Sequence, residues 1–200
     1  MTPSGNPPPQ LRILVLGGIG SGKTTVTGMF GARGAVVISA DEVGHEILAP
    51  GGSAHDEVGR RWPMTVIEGR IDRRALAAVV FPDQEQLREL EGMTHPHIRD
   101  AILERAAAAD PRPVVVELPL IKPLFGPEWV RVLVEAGSAV RLERVTERGG
   151  DPGDTRARMA VQPGRAEWRA IADHVIVNDA GLAELRVAAD AVWDEVAAGR

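Results

Sequence analysis

The segment Gly17-Gly18-Ile19-Gly20-Ser21-Gly22-Lys23-Thr24 has the spacing G-x-x-x-x-G-K-[ST]. Glycines at these positions let the backbone take dihedrals closed to other residues, so that successive N–H groups converge on phosphate oxygens at the start of a helix. Lys23 brings a compact ammonium to the β/γ-phosphates of a nucleotide, and Thr24 offers its hydroxyl to Mg2+. Gly18, Gly20, Ser21, Gly22 and Thr25 complete the candidate ATP-binding set. Lys23 is one of only two lysines among 23 basic residues. Where arginine otherwise carries the positive charge, a lysine kept at this position argues for a small, flexible cation.

Such a loop needs a strand before it and a helix after it, and both are legible. Residues 11–16 are nearly all branched aliphatics, the pattern of a parallel strand buried on both faces, and Val26, Met29 and Phe30 then fall at helical spacing. Further strand-like runs at 35–38, 113–118, 130–134 and 174–177 alternate with helical patterns, which predicts an α/β fold with a mostly parallel sheet. Between the second and third runs, 42–48, 53–62, 72–81 and 83–109 read as helices, with Pro96 expected to kink or interrupt the last. That insertion is too long for a simple crossover, so residues 41–110 are expected to form a helical acceptor-binding subdomain. The nucleotide-binding core then comprises 11–40 and 111–200, with 1–10 as a disordered lead-in. Ser138 is expected to cap a helix reaching about Arg148, with Leu142 and Val145 as its buried stripe. The glycine-rich turn 149–153 reads as a hinge into an arginine-bearing helix, 154–162, giving a lid over about 149–165. Leu182, Leu185, Ala189, Val192, Trp193 and Val196 mark a closing amphipathic helix packed on the core.

Composition narrows the function classes. Two hundred residues suit one α/β domain with inserted subdomains, and a net charge of −5 argues against nucleic acid as the main partner. With no cysteine, thiolate metal sites and disulfides are excluded, and the five histidines show no H-x-x-H-like metal spacing. Nucleotide-bound Mg2+ is therefore the one metal inferred. No apolar run reaches the roughly 18 residues of a membrane span, so a cytoplasmic protein acting on small molecules, monomeric or a small homo-oligomer, is expected.

Taken together, the motifs resemble those of dephospho-CoA kinases. The likeness runs from the phosphate loop through Ser39-Ala40-Asp41, Ile71-Asp72-Arg73-Arg74, Met93-Thr94-His95-Pro96-His97-Ile98, Arg141 to Arg148, Arg158 to Gln162 and Ala172-Asp173-His174-Val175-Ile176-Val177-Asn178. It implies a P-loop kinase fold, a five-stranded parallel sheet of order 2-3-1-4-5, and phosphorylation of the ribose 3′-hydroxyl of dephospho-CoA by ATP. Asp41, which follows the second strand run, is suited to accept the acceptor's proton or orient its hydroxyl; it is equally suited to cap the helix beginning at Glu42. The resemblance favours the catalytic role. Arg144 and Arg148, four apart on one helix face, read either as a clamp on transferring charge or as a solvated basic face, and the resemblance favours the clamp. It also implies places for His95, Arg73 and Arg74 beside the acceptor, and for Asn178 near the adenine.

Two departures bear on the acceptor. The family's Asp-x-Asp is Ser39-Ala40-Asp41 here, and its Pro-Leu-Leu-x-Glu is Pro119 to Pro123, so a carboxylate is replaced by proline. Glu117, ending a valine run, is placed like an acid that orients Mg2+ through water, or is a strand-end surface acid. Lys122, the other lysine, lies in the altered loop and joins the acceptor-binding candidates. A diverged kinase for another small-molecule hydroxyl and a catalytically inactive nucleotide-binding regulator are the competing functions.

Overall fold

The computed structural model describes residues 9–119 and 124–199. In chain order it comprises β1 (Arg12–Leu16), α1 (Lys23–Ala32), β2 (Val36–Ser39), α2 (Ala40–Leu48), α3 (His55–Arg61), β3 (Val66–Ile67), β4 (Arg70–Ile71), α4 (Arg73–Val80) and α5 (Gln84–Ala109). There follow β5 (Val114–Glu117), β6 (Val130–Glu135), α6 (Ser138–Glu147), α7 (Pro152–Ala160), α8 (Arg165–Ala170), β7 (His174–Val177) and α9 (Leu182–Ala198). The chain divides into two compact units, Met1–Ile38 with Ala106–Arg200, and Ser39–Arg105.

The first unit is built on a five-stranded parallel sheet of order β2-β5-β1-β6-β7, which in the succession of those strands is 2-3-1-4-5. β1 lies at its centre because it is apolar on both faces: Ile13 pairs with Val115 on one side and Val130 on the other, and Ile13 and Val15 are fully buried. α1 and α9 cover one face. Val26, Met29 and Phe30 of α1 meet Leu185, Ala189, Trp193 and Val196 of α9, with the Phe30 and Trp193 rings 5.3 Å apart. Burying large side chains such as these stabilises the fold by about 1.5–3 kcal/mol each. Leu182, expected in the stripe, is instead exposed: it is the first residue of α9, ahead of the turn that meets the sheet. Gln10 ties the start of β1 down, its Nε2 donating to the carbonyls of Ala106 (2.8 Å) and Arg112 (3.1 Å). Residues 1–8 lie outside the described residues, as do Lys122 and Pro123.

Around α6 the details differ from expectation. Gly137, not Ser138, is the N-cap, so α6 has no side-chain cap; the Gly137 N–H instead donates to Asp179 Oδ1 at 2.6 Å. Leu142 and Val145 are only half-buried, since no residue of α6 is fully covered. α7 begins two residues earlier than predicted, at Pro152, because Asp151 caps it by accepting the Asp154 N–H at 2.7 Å and proline suits a first helical turn.

The second unit is mostly helical. Trp62 and Val58 after and within α3, Leu76 and Val80 of α4, Val43 and Ile47 of α2 and Ile102 of α5 are among its buried residues, and Trp62 Nε1 donates to Gln86 Oε1 at 2.8 Å. Sequence reading finds no strand here. The structure has a small hairpin: β3 and β4 pair antiparallel around Glu68 (φ 49°) and Gly69 (φ 74°), both left-handed as a two-residue type I′ turn requires. α5 runs unbroken through Pro96. The carbonyl that proline leaves without a helical donor belongs to Gly92, whose lack of a side chain lets the backbone adjust, and the Thr94 hydroxyl adds a bond to the Leu90 carbonyl at 2.8 Å. Among the described residues no helix is long and apolar enough to cross a membrane.

Candidate active site

The loop between β1 and α1 turns as the motif requires. Gly22 is the left-handed N-cap of α1 (φ 99°), and a Cβ there would fall on Asn178 Nδ2. The Val26 N–H donates to the Gly22 carbonyl at 3.1 Å, which starts the helix. No acidic residue sits in the first turn of α1, so its N-terminal amides face an anion without internal competition. Lys23 Nζ reaches back over the loop to the Gly18 carbonyl at 3.2 Å. Ser21 is buried with its hydroxyl against Gly17, so its contribution to phosphate comes from the backbone.

Glu117, at the carboxyl end of β5, is brought to the loop: Thr24 Oγ1 donates to Glu117 Oε1 at 2.9 Å. The two residues are 93 apart in sequence, and the parallel pairing of β5 with β1 is what joins them. A hydroxyl and a carboxylate at this spacing are the hard oxygen donors Mg2+ prefers. Among the described residues no group of three metal-ligating side chains gathers, so this pair suits an ion held jointly with nucleotide phosphates rather than by a protein cage.

Asn178 closes the loop from the other side. It is buried, and its Nδ2 donates to the Ser21 carbonyl at 2.8 Å. Arg144 holds Asn178 in turn, donating to its carbonyl at 2.9 Å, to its Oδ1 at 3.2 Å and to the Ala180 carbonyl at 3.3 Å. Beside them lies a cleft of about 330 Å3 lined by Gly22, Thr25, Arg144, Arg148, Gly181 and Leu185. The described geometry thus gathers Gly22, Thr25, Arg144, Arg148 and Asn178 around one pocket of the first unit.

Two residues of this corner carry no role in the sequence reading. Arg141 Nε donates to the Ile19 carbonyl at 2.8 Å, and Gln162, just past α7, accepts the Ile19 N–H at 3.1 Å. Burial pulls the Arg141 guanidinium below its ordinary pKa. Both residues lie in segments that carry the resemblance, Arg141 to Arg148 and Arg158 to Gln162, but the contact of Gln162 with Ile19, 143 residues away, has no local signal.

In the second unit Asp41, Arg73 and Arg74 stand in the first turns of helices. Ser39 is the N-cap of α2, its Oγ accepting the Glu42 N–H at 3.3 Å. The helix therefore starts at Ala40 and Asp41 is not its cap, so its exposed carboxylate is not committed to that role. Serine in place of the family's first aspartate retains capping chemistry, because both residues are good N-caps. Arg73 and Arg74 are exposed in the first turn of α4, capped by Asp72. Two cations at a positive helix end oppose the dipole unless an anion joins them. His95 is half-buried in the middle of α5.

The family model for dephospho-CoA kinase matches residues 12–184. The chain belongs to the dephospho-CoA kinase family. It is 38% identical over 188 residues to the dephospho-CoA kinase of Methylococcus capsulatus, covering 92% of this chain and 95% of that one. Among solved structures it resembles a Thermus thermophilus protein at 33% identity and TM-score 0.82, over 94% of this chain and 98% of the other. It resembles the dephospho-CoA kinase from Campylobacter jejuni at 26% identity and TM-score 0.69, with the same coverage. As a member of this family the chain is a kinase.

Proposed function

We propose that the protein transfers the γ-phosphoryl group of ATP to the ribose 3′-hydroxyl of dephospho-CoA, giving coenzyme A and ADP. Besides family membership, the observation that carries this reading is the 2.9 Å bond between Thr24 and Glu117 beneath an intact phosphate loop. A degenerate nucleotide binder would have no need to retain that pair together with Asp41. Thr24 and Glu117 would hold Mg2+, Glu117 directly or through water. Bound there with the nucleotide, the ion would supply positive charge to offset that of the phosphate oxygens.

The loop amides and Lys23 hold the β- and γ-phosphates, Thr25 and Arg148 line the nucleotide cleft, and Asn178 with Arg144 keeps the loop in shape. Arg144 also offers charge to the transferring group. The acceptor oxygen attacks the γ-phosphorus in line, the bond from that phosphorus to the β-bridging oxygen breaks, and the acceptor proton passes to Asp41. Arg73 and Arg74, with His95 and Lys122, meet the acceptor and its phosphates. The 149–165 segment acts as a lid that excludes water, since an open site would hydrolyse ATP. The whole chain's net charge of −5 supports small-molecule substrates over nucleic acid, in a cytoplasmic enzyme.

Steady-state ADP release with ATP and Mg2+ tests this reading when dephospho-CoA is compared with adenosine, AMP and shikimate-type alcohols. Dephospho-CoA is expected to give the highest kcat/KM. Equal or better turnover of another alcohol would overturn the acceptor assignment.

A further inference from the structure

The peptide of Ile19, at the crest of the phosphate loop, is gripped on both sides by side chains from two later helical segments. Its N–H donates to Gln162 Oε1 at 3.1 Å, and its carbonyl accepts from Arg141 Nε at 2.8 Å. The two gripping groups also bond to each other, Arg141 Nη2 donating to Gln162 Oε1 at 2.6 Å. Gly18 makes room for this arrangement: a Cβ there would lie on the Arg141 guanidinium and 2.7 Å from Gln162 Oε1. Arg141 is on α6, and Gln162 follows α7 by two residues, its N–H bonded to the Met159 carbonyl at 3.3 Å. The position of α7 is thereby written directly into the backbone of the loop.

We infer that Gln162 and Arg141 are positioning residues for phosphoryl transfer, a clip that locks the crest of the phosphate loop to α7. The inference rests on the phosphate-loop reading above. The amides from Gly20 to Lys23 are shaped by other contacts, the Asn178 bond to Ser21 and the start of α1, so nucleotide binding does not depend on the clip. What the clip sets is the orientation of the Ile19 peptide, and through it the register of α7 over the loop during transfer. Losing it leaves a partly buried N–H and a guanidinium donor without their shared acceptor.

The experiment is steady-state kinetics with ATP, Mg2+ and dephospho-CoA on Gln162→Leu, Gln162→Glu, Arg141→Lys and Gln162→Leu/Arg141→Lys, with Lys23→Ala as control. Gln162→Leu keeps the volume and removes the acceptor. It is expected to lower kcat about 10-fold or more with the KM for ATP within about 3-fold, the pattern of a contact made for transfer rather than binding. Gln162→Glu, which still accepts from both donors, should recover most of that loss. Arg141→Lys cannot span both partners with one ammonium and should resemble Gln162→Leu. The double variant should be no slower than the slower single one, because both changes open the same clip. Unchanged kcat in Gln162→Leu, equal losses in the Leu and Glu variants, a rise in KM alone, or additive losses would each overturn the inference. If Gln162→Leu does not fold by circular dichroism, the kinetics of Gln162→Glu and Arg141→Lys decide: a normal kcat for Arg141→Lys overturns it. An inactive Lys23→Ala beside a normal Gln162→Leu removes the clip alone, whereas a fully active Lys23→Ala removes the phosphate-loop reading beneath it.

Discussion

The corner around the phosphate loop and the acceptor candidates of the Ser39–Arg105 unit are built in different ways. Around the loop, Arg141 of α6, Gln162 after α7 and Asn178 after β7 bond to loop backbone, and Glu117 at the end of β5 meets the Thr24 hydroxyl, across 93 to 157 residues. In the other unit, Asp41, Arg73 and Arg74 stand exposed in first turns whose caps, Ser39 and Asp72, are local. A nucleotide's phosphates are always the same shape, so a grip assembled in advance costs no reorganisation when they arrive. On the proposed reading, the acceptor would meet charge displayed at helix starts, Arg73 and Arg74 among it. Binding contributions should therefore separate, the loop governing ATP and transfer, the helix ends governing the acceptor.

The largest effect that tests this division is expected from Lys23→Ala, which should lower kcat/KM about 1,000-fold or more in a coupled ADP assay, the scale of removing a charge from a transferring phosphoryl group. A normal rate would break the nucleotide side of the comparison. Asp41→Asn should lower kcat about 100-fold while calorimetric ATP affinity stays within about 2-fold. If ATP affinity fell in step, Asp41 would belong to the nucleotide grip instead.

A third test concerns stability. Glu135, at the end of β6, accepts from Arg169 Nε at 2.9 Å and Arg165 Nε at 3.1 Å and so anchors α8. The Arg169 hydrogen bond, aided by Arg165 and opposed by burial, holds its carboxyl at about 2, down from the usual 4.5. A depressed folded pKa means that this stabilisation is present above the unfolded value and disappears as pH falls from about 4.5 towards 2. At neutral pH it amounts to about 3 kcal/mol at most. Glu135→Gln should lower Tm at pH 7, and the gap from the parent should narrow as melting is repeated towards pH 3. A constant gap across that range would mean that the arginine pairing contributes nothing. The smallest effect is expected from Arg73→Ala with Arg74→Ala: a rise in the acceptor KM of about 10-fold, weaker at high salt, with the ATP KM unchanged. No change in acceptor KM would leave those arginines as surface residues and sharpen the search for the acceptor's phosphate contacts.

Much of this was readable before any coordinates. All five sheet strands and the long helices appear in the sequence because each is periodic over enough residues to signal its burial, and the phosphate loop because its spacing is a backbone requirement. The hairpin of β3 and β4 was hidden: two residues per strand are too few for alternation, and Glu68-Gly69 is not a strong turn pair. Pro96 does not interrupt α5, because the helical residues on either side of it carry the helix through.

Residue type and spacing along the chain determined the loop, the strand feeding it, the family and the presence of Asp41, since each depends on neighbours within a few residues. Only the tertiary structure decided that Glu117 meets Thr24, that Asn178 and Arg144 close the loop, that Ser39 rather than Asp41 caps α2, and that Gln162 grips Ile19. Those are contacts of single polar atoms between distant segments. Their geometry depends on how parallel strands bring loop ends to one edge of the sheet, which no local pattern encodes.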